Sequence, residues 1–168
     1  LNTIATAEGT IQIAMEETQR TVHGTNVLIM GFGRIGKVLA KMLDGIGAKV
    51  YCEARKDEDI SWIKAYGYNP IHLNDLDENL NKFDIVAVAT VDEGVDIRKL
   101  GYAKEIFVLN QPFETEIDKI VQYGITVGIS SYAFAEQLGR IKSPVRVHIE
   151  IGTGMGRTGI HPYRVDQY

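Results

Sequence analysis

Asn26-Val27-Leu28-Ile29-Met30-Gly31-Phe32-Gly33-Arg34-Ile35-Gly36-Lys37 reads as a buried strand that turns abruptly into a helix, and the turn carries the pattern Gly31-x-Gly33-x-x-Gly36. The unbroken apolar run Val27 to Met30 suits a parallel strand covered on both faces, and Val38, Leu39, Met42 and Leu43 continue as the inward stripe of the helix. In this pattern Gly31 permits the tight turn, Gly33 lets the backbone approach a pyrophosphate, and Gly36 lets helix and strand pack closely. The helix start then offers free N–H groups and a positive dipole end to phosphate. Dinucleotide binding is therefore expected of this turn, against the plainer reading of a structural bend.

Working outward, the helix should end near Gly45 to Gly47, with Ala48 to Cys52 as a second strand that completes a βαβ unit. The end of that strand bears on the cofactor. An acidic residue about 20 residues past the glycines accepts from the ribose 2′-hydroxyl of NAD, whereas an Arg accommodates the 2′-phosphate of NADP. Here Glu53 is followed by Ala54, Arg55 and Lys56. The paired cations favour NADP, and Glu53 keeps NAD as the alternative. The cofactor-binding set is Gly31, Phe32, Gly33, Arg34, Ile35 and Gly36 for the pyrophosphate, Arg55 and Lys56 for the 2′-phosphate, and Thr90 near the nicotinamide side. No catalytic or metal-binding residue is assigned.

Before the turn, Thr6 to Arg20 has a helical face of Ile11, Ala14, Met15 and Thr18 with Thr6 as N-cap, and Thr21 to Thr25 connects it to the strand. His23 in that connector is read as structural. After Cys52 the pattern predicts a helix over Asp57 to Ala65 capped by Asp57, with Trp62 covering its edge. An edge strand over Asn69 to Leu73 contains Pro70, and a helical turn or two follows over Asn74 to Leu80. Strands over Phe83 to Thr90, Glu105 to Asn110 and Ile125 to Ser130 alternate with helices over Asp92 to Leu100, Phe113 to Tyr123 and Tyr132 to Arg140. Val145 to Ile151 alternates apolar with polar residues, so that strand is an edge or faces a polar cavity. A free edge of this kind predicts a homodimer.

The expected fold is α/β, a Rossmann-like doubly wound, mainly parallel sheet of order 3-2-1-4-5-6 with a possible extra edge strand and helices on both faces. One α/β domain spans 1–168, divided into a packing helix and connector (1–25), a dinucleotide-binding half (26–84) and a second βα half (85–168). A chain of 168 residues, 45% hydrophobic and 24% charged, is long enough for one core. A net charge of −4 gives no basic surface for nucleic acid. The single cysteine, Cys52, excludes an internal disulfide and fits a reducing compartment, hence a cytoplasmic location. No apolar run approaches the ~20 residues of a membrane span, and Leu1 is not followed by a signal-peptide pattern.

Two family resemblances attach to the two halves. Thr6-Ala7-Glu8-Gly9, His23-Gly24-Thr25-Asn26, the Gly31-Phe32-Gly33-Arg34-x-Gly36 turn, Leu43 with Gly47-Ala48, and Ala54-Arg55 resemble the NADP-binding domain of the dipicolinate synthase family, in its dinucleotide-binding subunit, over about residues 2–84. That resemblance implies an NADPH-dependent oxidoreductase of sporulation acting on a cyclic dicarboxylate precursor. The Asn-Thr-x-Pro and Gly-Leu-Pro-Gly segments of that family are absent here.

Ala87-Val88-Ala89-Thr90-Val91-Asp92-Glu93-Gly94, Ile125-Thr126-Val127, Ser130-Ser131 and Thr153-Gly154-Met155-Gly156-Arg157-Thr158-Gly159 are similar to βα units of the alanine racemase family, over about residues 86–162. This likeness implies a pyridoxal phosphate (PLP) barrel and places Arg157 near cofactor and substrate carboxylate. Gly152 stands where that family has Asp, and Glu150 where it often has Lys. The Lys-Ala-x-Ala-Tyr-Gly motif of its Schiff-base lysine has only the echo Lys64-Ala65-Tyr66-Gly67, in the other half, which argues against PLP.

The leading reading is an engineered chimera joined within the Phe83 to Thr90 strand, binding NADP(H) without full catalytic activity. The competing readings are an NADPH-dependent oxidoreductase, a PLP-dependent racemase fragment, and a fold without a ligand.

Overall fold

The computed structural model describes residues 3–17 and 21–149. Its elements alternate along the chain. A first helix α1 (Thr3–Glu17) precedes β1 (Asn26–Met30), α2 (Arg34–Gly45), β2 (Lys49–Ala54), α3 (Asp57–Ala65), β3 (Asn69–His72), α4 (Leu76–Asn79) and β4 (Ile85–Val88). There follow α5 (Val91–Lys99), β5 (Glu105–Val108), α6 (Ile117–Tyr123), β6 (Thr126–Ile129), α7 (Tyr132–Gly139) and β7 (Val147–Ile149). All strand pairings are parallel, and the strands form one seven-stranded sheet of order β3-β2-β1-β4-β5-β6-β7. The expected order therefore holds, with β7 as the extra edge strand.

Burial on both faces explains the uninterrupted apolar strands. Residues of β4, β5 and β6 are buried throughout. On one face, Val27, Ile29, Cys52 and Ala87 pack with Ala7 of α1, Leu39 and Leu43 of α2 and Ile63 of α3. On the other, Leu28, Val86, Ile106 and Val127 pack with residues from α4 to α7, among them Leu76, Val95, Ile120 and Phe134. Because β2 and β4 lie on opposite sides of β1, the winding reverses between β1 and β4. In open α/β sheets that reversal opens a crevice at the carboxyl ends of the strands.

The edges show how the sequence manages exposed strands. Pro70 lies in β3, where a missing N–H costs no ladder bond on the free side. At the other edge Val147 and Ile149 stand beside Val127 and Ile129, and they remain 39% and 40% exposed. Behind this edge, buried Glu105 takes the hydroxyl of Thr126 and an ion pair with Arg146 at 3.0 Å. That cluster ties the segment leading into β7 to β5 and β6.

Several local expectations shift. The first helix starts at Thr3, so Thr6 is not its cap; its carbonyl takes the Thr10 hydroxyl at 2.8 Å instead. Met15 is 53% exposed, since Ala7, Thr10 and Ala14 supply the buried stripe of α1. The N-cap of α3 is Lys56 and not Asp57, which joins Glu58 and Asp59 in an acidic first turn that suits the helix dipole. Trp62 leans on Tyr66 and stays 53% exposed. Past Pro112, the helix expected from Phe113 begins instead as a tight turn over Glu114–Glu116 that leads into α6.

The ring of His23 packs against Gly47, whose φ of +84° and lack of a β-carbon admit it, in line with a structural role. Thr18, Glu150, Gly152 and Arg157 lie outside the described residues. Among those described, no helix is long and apolar enough to cross a membrane, and no cluster of His, Cys, Asp or Glu could hold a metal ion.

Candidate functional site

The crevice begins at the end of β1. Gly31 takes φ +85°, a left-handed value that L side chains rarely adopt, and the chain then runs extended through Gly33 before α2 starts at Arg34. The N–H of Lys37 closes the first helical turn on the Gly33 carbonyl at 3.0 Å. Gly33 carries no side-chain cap, and the first turn holds no acidic residue. The first amides of α2 thus lack intrahelical partners and a side-chain acceptor at the cap, the condition in which a helix start takes an anion.

The other glycines divide the remaining work. A β-carbon on buried Gly36 would overlap the carbonyl oxygen of Gly31 and press on Ile29, so the close approach of α2 to β1 requires glycine. A β-carbon on Gly33 would meet nothing within 4 Å, and Gly33 and Arg34 are exposed. Phe32, by contrast, turns inward. It is 8% exposed, packs edge-on against Tyr66 and Tyr68 at 5.9 and 6.2 Å, and lies under the Lys37 ammonium at 5.3 Å. Ile35 is half-buried against the same core. Phe32 and Ile35 therefore offer backbone, not side chains, to the crevice.

Across the crevice, β4 leads into α5 through Thr90. The Thr90 hydroxyl accepts from the Glu93 N–H at 3.2 Å, and the Glu93 carboxylate accepts from the N–H groups of Ala89 and Thr90 at 2.8 and 3.2 Å. This capping box satisfies the helix start from within. Thr90 is exposed, and Ala87, three residues before it, pairs with Ile29, three residues before Phe32. Thr90 and the glycine turn therefore leave the sheet side by side. Arg55 and Lys56 stand exposed just past the end of β2.

Glu53 lies near the end of β2, beside the glycine turn. The alternation of β2 puts it with Tyr51 on the α4–α7 side of the sheet, opposite Cys52 and Ala54, and it is 5% exposed. One carboxylate oxygen has no hydrogen-bond partner. Burial pushes its pKa up, opposed by the Arg55 charge and the Gly31 amide, reinforced by Glu93 and opposed again by His72. Burial likewise pushes the Cys52 thiol up to about 12, so it is unreactive.

Sequence reading missed a cavity of about 450 Å³ on the same carboxyl edge, between the ends of β5 and β6 and lined by Gln111, Phe113, Glu114, Thr115 and Ser131 among others. No fingerprint announces it; its residues come from separate loops. Asn110 donates to the Ala89 carbonyl at 3.0 Å, linking this edge to the β4 turn.

Comparison with known proteins bears on both halves. Residues 47–168 match the family model of the alanine racemase N-terminal domain. The match starts well before residue 86 and takes in β2, where the dipicolinate synthase likeness also lies. A dipicolinate synthase subunit of Bacillus subtilis is 37% identical over 84 residues, covering 50% of this chain and 28% of that protein. Alanine racemase of Aquifex aeolicus is 30% identical over 145 residues, covering 83% of this chain and 40% of the racemase. The chain thus spans less than half the length of either relative.

Among solved structures, the corresponding dipicolinate synthase subunit from Bacillus halodurans superposes with a TM-score of 0.61 at 26% identity, covering 75% of this chain and 45% of that one. An NADPH-dependent glyoxylate/hydroxypyruvate reductase from Sinorhizobium meliloti, solved with NADP and sulfate, shares the fold at 16% identity with a TM-score of 0.52, covering 76% and 51% of the respective chains. The architecture is Rossmann-like and of the dinucleotide-binding kind.

Proposed function

The chain belongs to the alanine racemase N-terminal domain family through residues 47–168, and from that premise, set against its Rossmann-like sheet, we propose that it is a nicotinamide dinucleotide-binding module with a preference for NADP(H). The observation that carries the reading is the glycine turn. Gly31 is left-handed, Gly36 admits no β-carbon, Gly33 opens onto free space, and the start of α2 is uncapped and free of acid. The residues present thus fit a pyrophosphate. In this reading the amides following Gly33 hold it, exposed Arg34 flanks it, Arg55 with Lys56 receives the 2′-phosphate, and Thr90 borders the nicotinamide side. When bound, the dinucleotide supplies hydride-transfer chemistry. The chain's own contribution is to orient it and to neutralise its phosphates.

Three observations refine the proposal. The burial of Glu53 beside exposed cations at the end of β2 supports NADP over NAD. In the turns 89–92, 109–116 and 130–133, bordering the ring end of the crevice, no histidine or lysine is present, which favours binding over catalysis. Lys64, the echo of a racemase lysine, lies exposed on the last turn of α3, at the amino edge and away from the carboxyl ends of the strands. The position of Lys64 supports the reading against a PLP site built on that lysine.

The dipicolinate synthase likeness early in the chain and the racemase likeness later support a chimera of two lineages, since right-handed βα units join by the same local geometry in either, but the racemase match from residue 47 runs across the junction read within Phe83 to Thr90 and does not mark it. The exposed apolar residues of β7 support a homodimer through that edge, and a monomer mass independent of concentration in sedimentation overturns it.

The test of the central reading is calorimetric titration with NADPH and with NADH, on the wild type and on Arg55→Ala. Saturable NADPH binding that weakens about tenfold or more in the variant, with NADH unaffected, is expected from loss of a charge-assisted contact. Absence of heat with both dinucleotides overturns it.

A further inference from the structure

The cavity between β5 and β6 has a chemistry of its own. Gln111 fixes it. Its Oε1 accepts from the Ser130 N–H at 2.9 Å and from the Ser130 hydroxyl at 2.6 Å. A backbone N–H can only donate, so the carbonyl end of the amide must face Ser130 and the NH2 end is left as a donor in the cavity lining. Ser131 caps α7 by accepting from the Phe134 N–H at 3.4 Å, and its own proton remains to be given. Thr115 adds a further hydroxyl. The donors stand against apolar surface: buried Phe134 in the lining and Phe113 beside it, 77% exposed.

Charge narrows the ligand. The lining contains the Glu114 carboxylate and no cationic side chain. The turn it sits on continues with Glu116, and α6 carries Asp118 in its first turn. Lys119, on the same helix, is tied to Asp92 at 2.5 Å. Apolar walls, neutral donors and one carboxylate suit a flat, uncharged molecule with a carbonyl, and they repel an anion. The position fits as well: β5 and β6 are the second and third strands from β1 on this side, roughly 10–14 Å from the glycine turn at ~4.8 Å per strand.

We propose that this cavity is the substrate subsite of the carboxyl edge, that it takes an uncharged planar ring bearing a carbonyl or carboxamide, and that it excludes dicarboxylates. The proposal deepens the dinucleotide reading and rests on it for the neighbouring hydride donor. It separates this chain from the cyclic dicarboxylate that the dipicolinate synthase resemblance implies.

Ligand-observed NMR titration of the whole chain tests it with two flat pyridine probes that differ in charge: nicotinamide and the pyridine-2,6-dicarboxylate dianion. Nicotinamide should bind saturably, and the dianion at least tenfold more weakly. Phe113→Ala, at an exposed side chain, should weaken nicotinamide about fivefold with an unchanged amide spectrum. Glu114→Lys should narrow or reverse the preference between nicotinamide and the dianion. Equal or tighter binding of the dianion to the wild type, no binding of nicotinamide, or affinity indifferent to Phe113→Ala overturns the assignment. NADPH titrated into the same samples separates the two readings. Failure of the ring probes on dinucleotide-free chain that binds NADPH in a separate titration sinks this inference alone, whereas ring binding without NADPH binding sinks the dinucleotide reading alone.

Discussion

Two helices begin at the crevice between β1 and β4, and they treat their first amides in opposite ways. At α5, Thr90 and Glu93 exchange hydrogen bonds with the backbone, and Asp92 and Glu93 place negative charge where the dipole favours it. At α2, Gly33 offers no side chain and the first turn no acid. The start of α5 is satisfied within the protein; that of α2 leaves its first amides without a side-chain acceptor. An absent side-chain cap is not peculiar to α2, since α3 also starts without one; what sets α2 apart from α3 and α5 is that its first turn holds no acid either, at a cost of a few tenths of a kcal/mol relative to a side-chain cap.

The largest expected effect tests whether that terminus is held in place by its packing. Gly36→Ala puts a methyl into the Gly31 carbonyl oxygen, so α2 must move off β1. A loss of about 3 kcal/mol in denaturant unfolding is expected, with NADPH binding abolished. A loss below about 0.5 kcal/mol would show that α2 does not need this close approach, and the comparison would lose its structural half.

A smaller effect concerns the carboxyl group beneath the crevice. Burial raises the folded-state pKa of Glu53 above its ordinary 4.5. A raised folded pKa means that its contribution to stability is present below the unfolded value and is lost as pH climbs through the folded one. Glu53→Gln should therefore be more stable than wild type by about 1 kcal/mol at pH 7, with the difference shrinking towards pH 4. Arg55→Ala removes a cation that opposes the shift, so the window should move to higher pH. A Glu53→Gln difference that stays constant across this range contradicts the assignment of a titrating, poorly solvated carboxyl.

How much of this was legible in the sequence follows from how local each signal is. The glycine turn, β1 and α2 were readable because apolar run, glycine spacing and helical stripe are contiguous. The hand of each βα unit is legible in the sequence, whereas the placement of the last strands is not, because one hand is compatible with more than one order. The burial of Glu53 is not legible in the same way, because a strand's alternation sets which face a residue takes, whereas distance along the chain from the glycines does not. The β5–β6 cavity was invisible for a related reason: Gln111 and Ser130 are partners across separate loops, and no motif links them. The pairing of Thr90 with Glu93 is legible in principle, since Thr-x-x-Glu before a helix is itself a capping signature.

The smallest effects come from exchanging the two helix starts, and they bear most directly on what an uncapped terminus is for. Thr90→Ala removes the hydroxyl acceptor and should cost about 1 kcal/mol, with Thr90→Ser recovering most of it. Gly33→Asp does the reverse at α2. It introduces a carboxylate acceptor where a side chain meets no obstruction, and a gain of a few tenths of a kcal/mol in unfolding free energy is expected. The same carboxylate occupies the amides and repels phosphate, so NADPH affinity should fall more than tenfold while stability rises. That opposition of sign is what distinguishes a reserved anion site from a helix that merely lacks a cap. If Gly33→Asp left NADPH affinity unchanged, the amides of α2 would have no ligand to hold, and α2 and α5 would differ only in sequence.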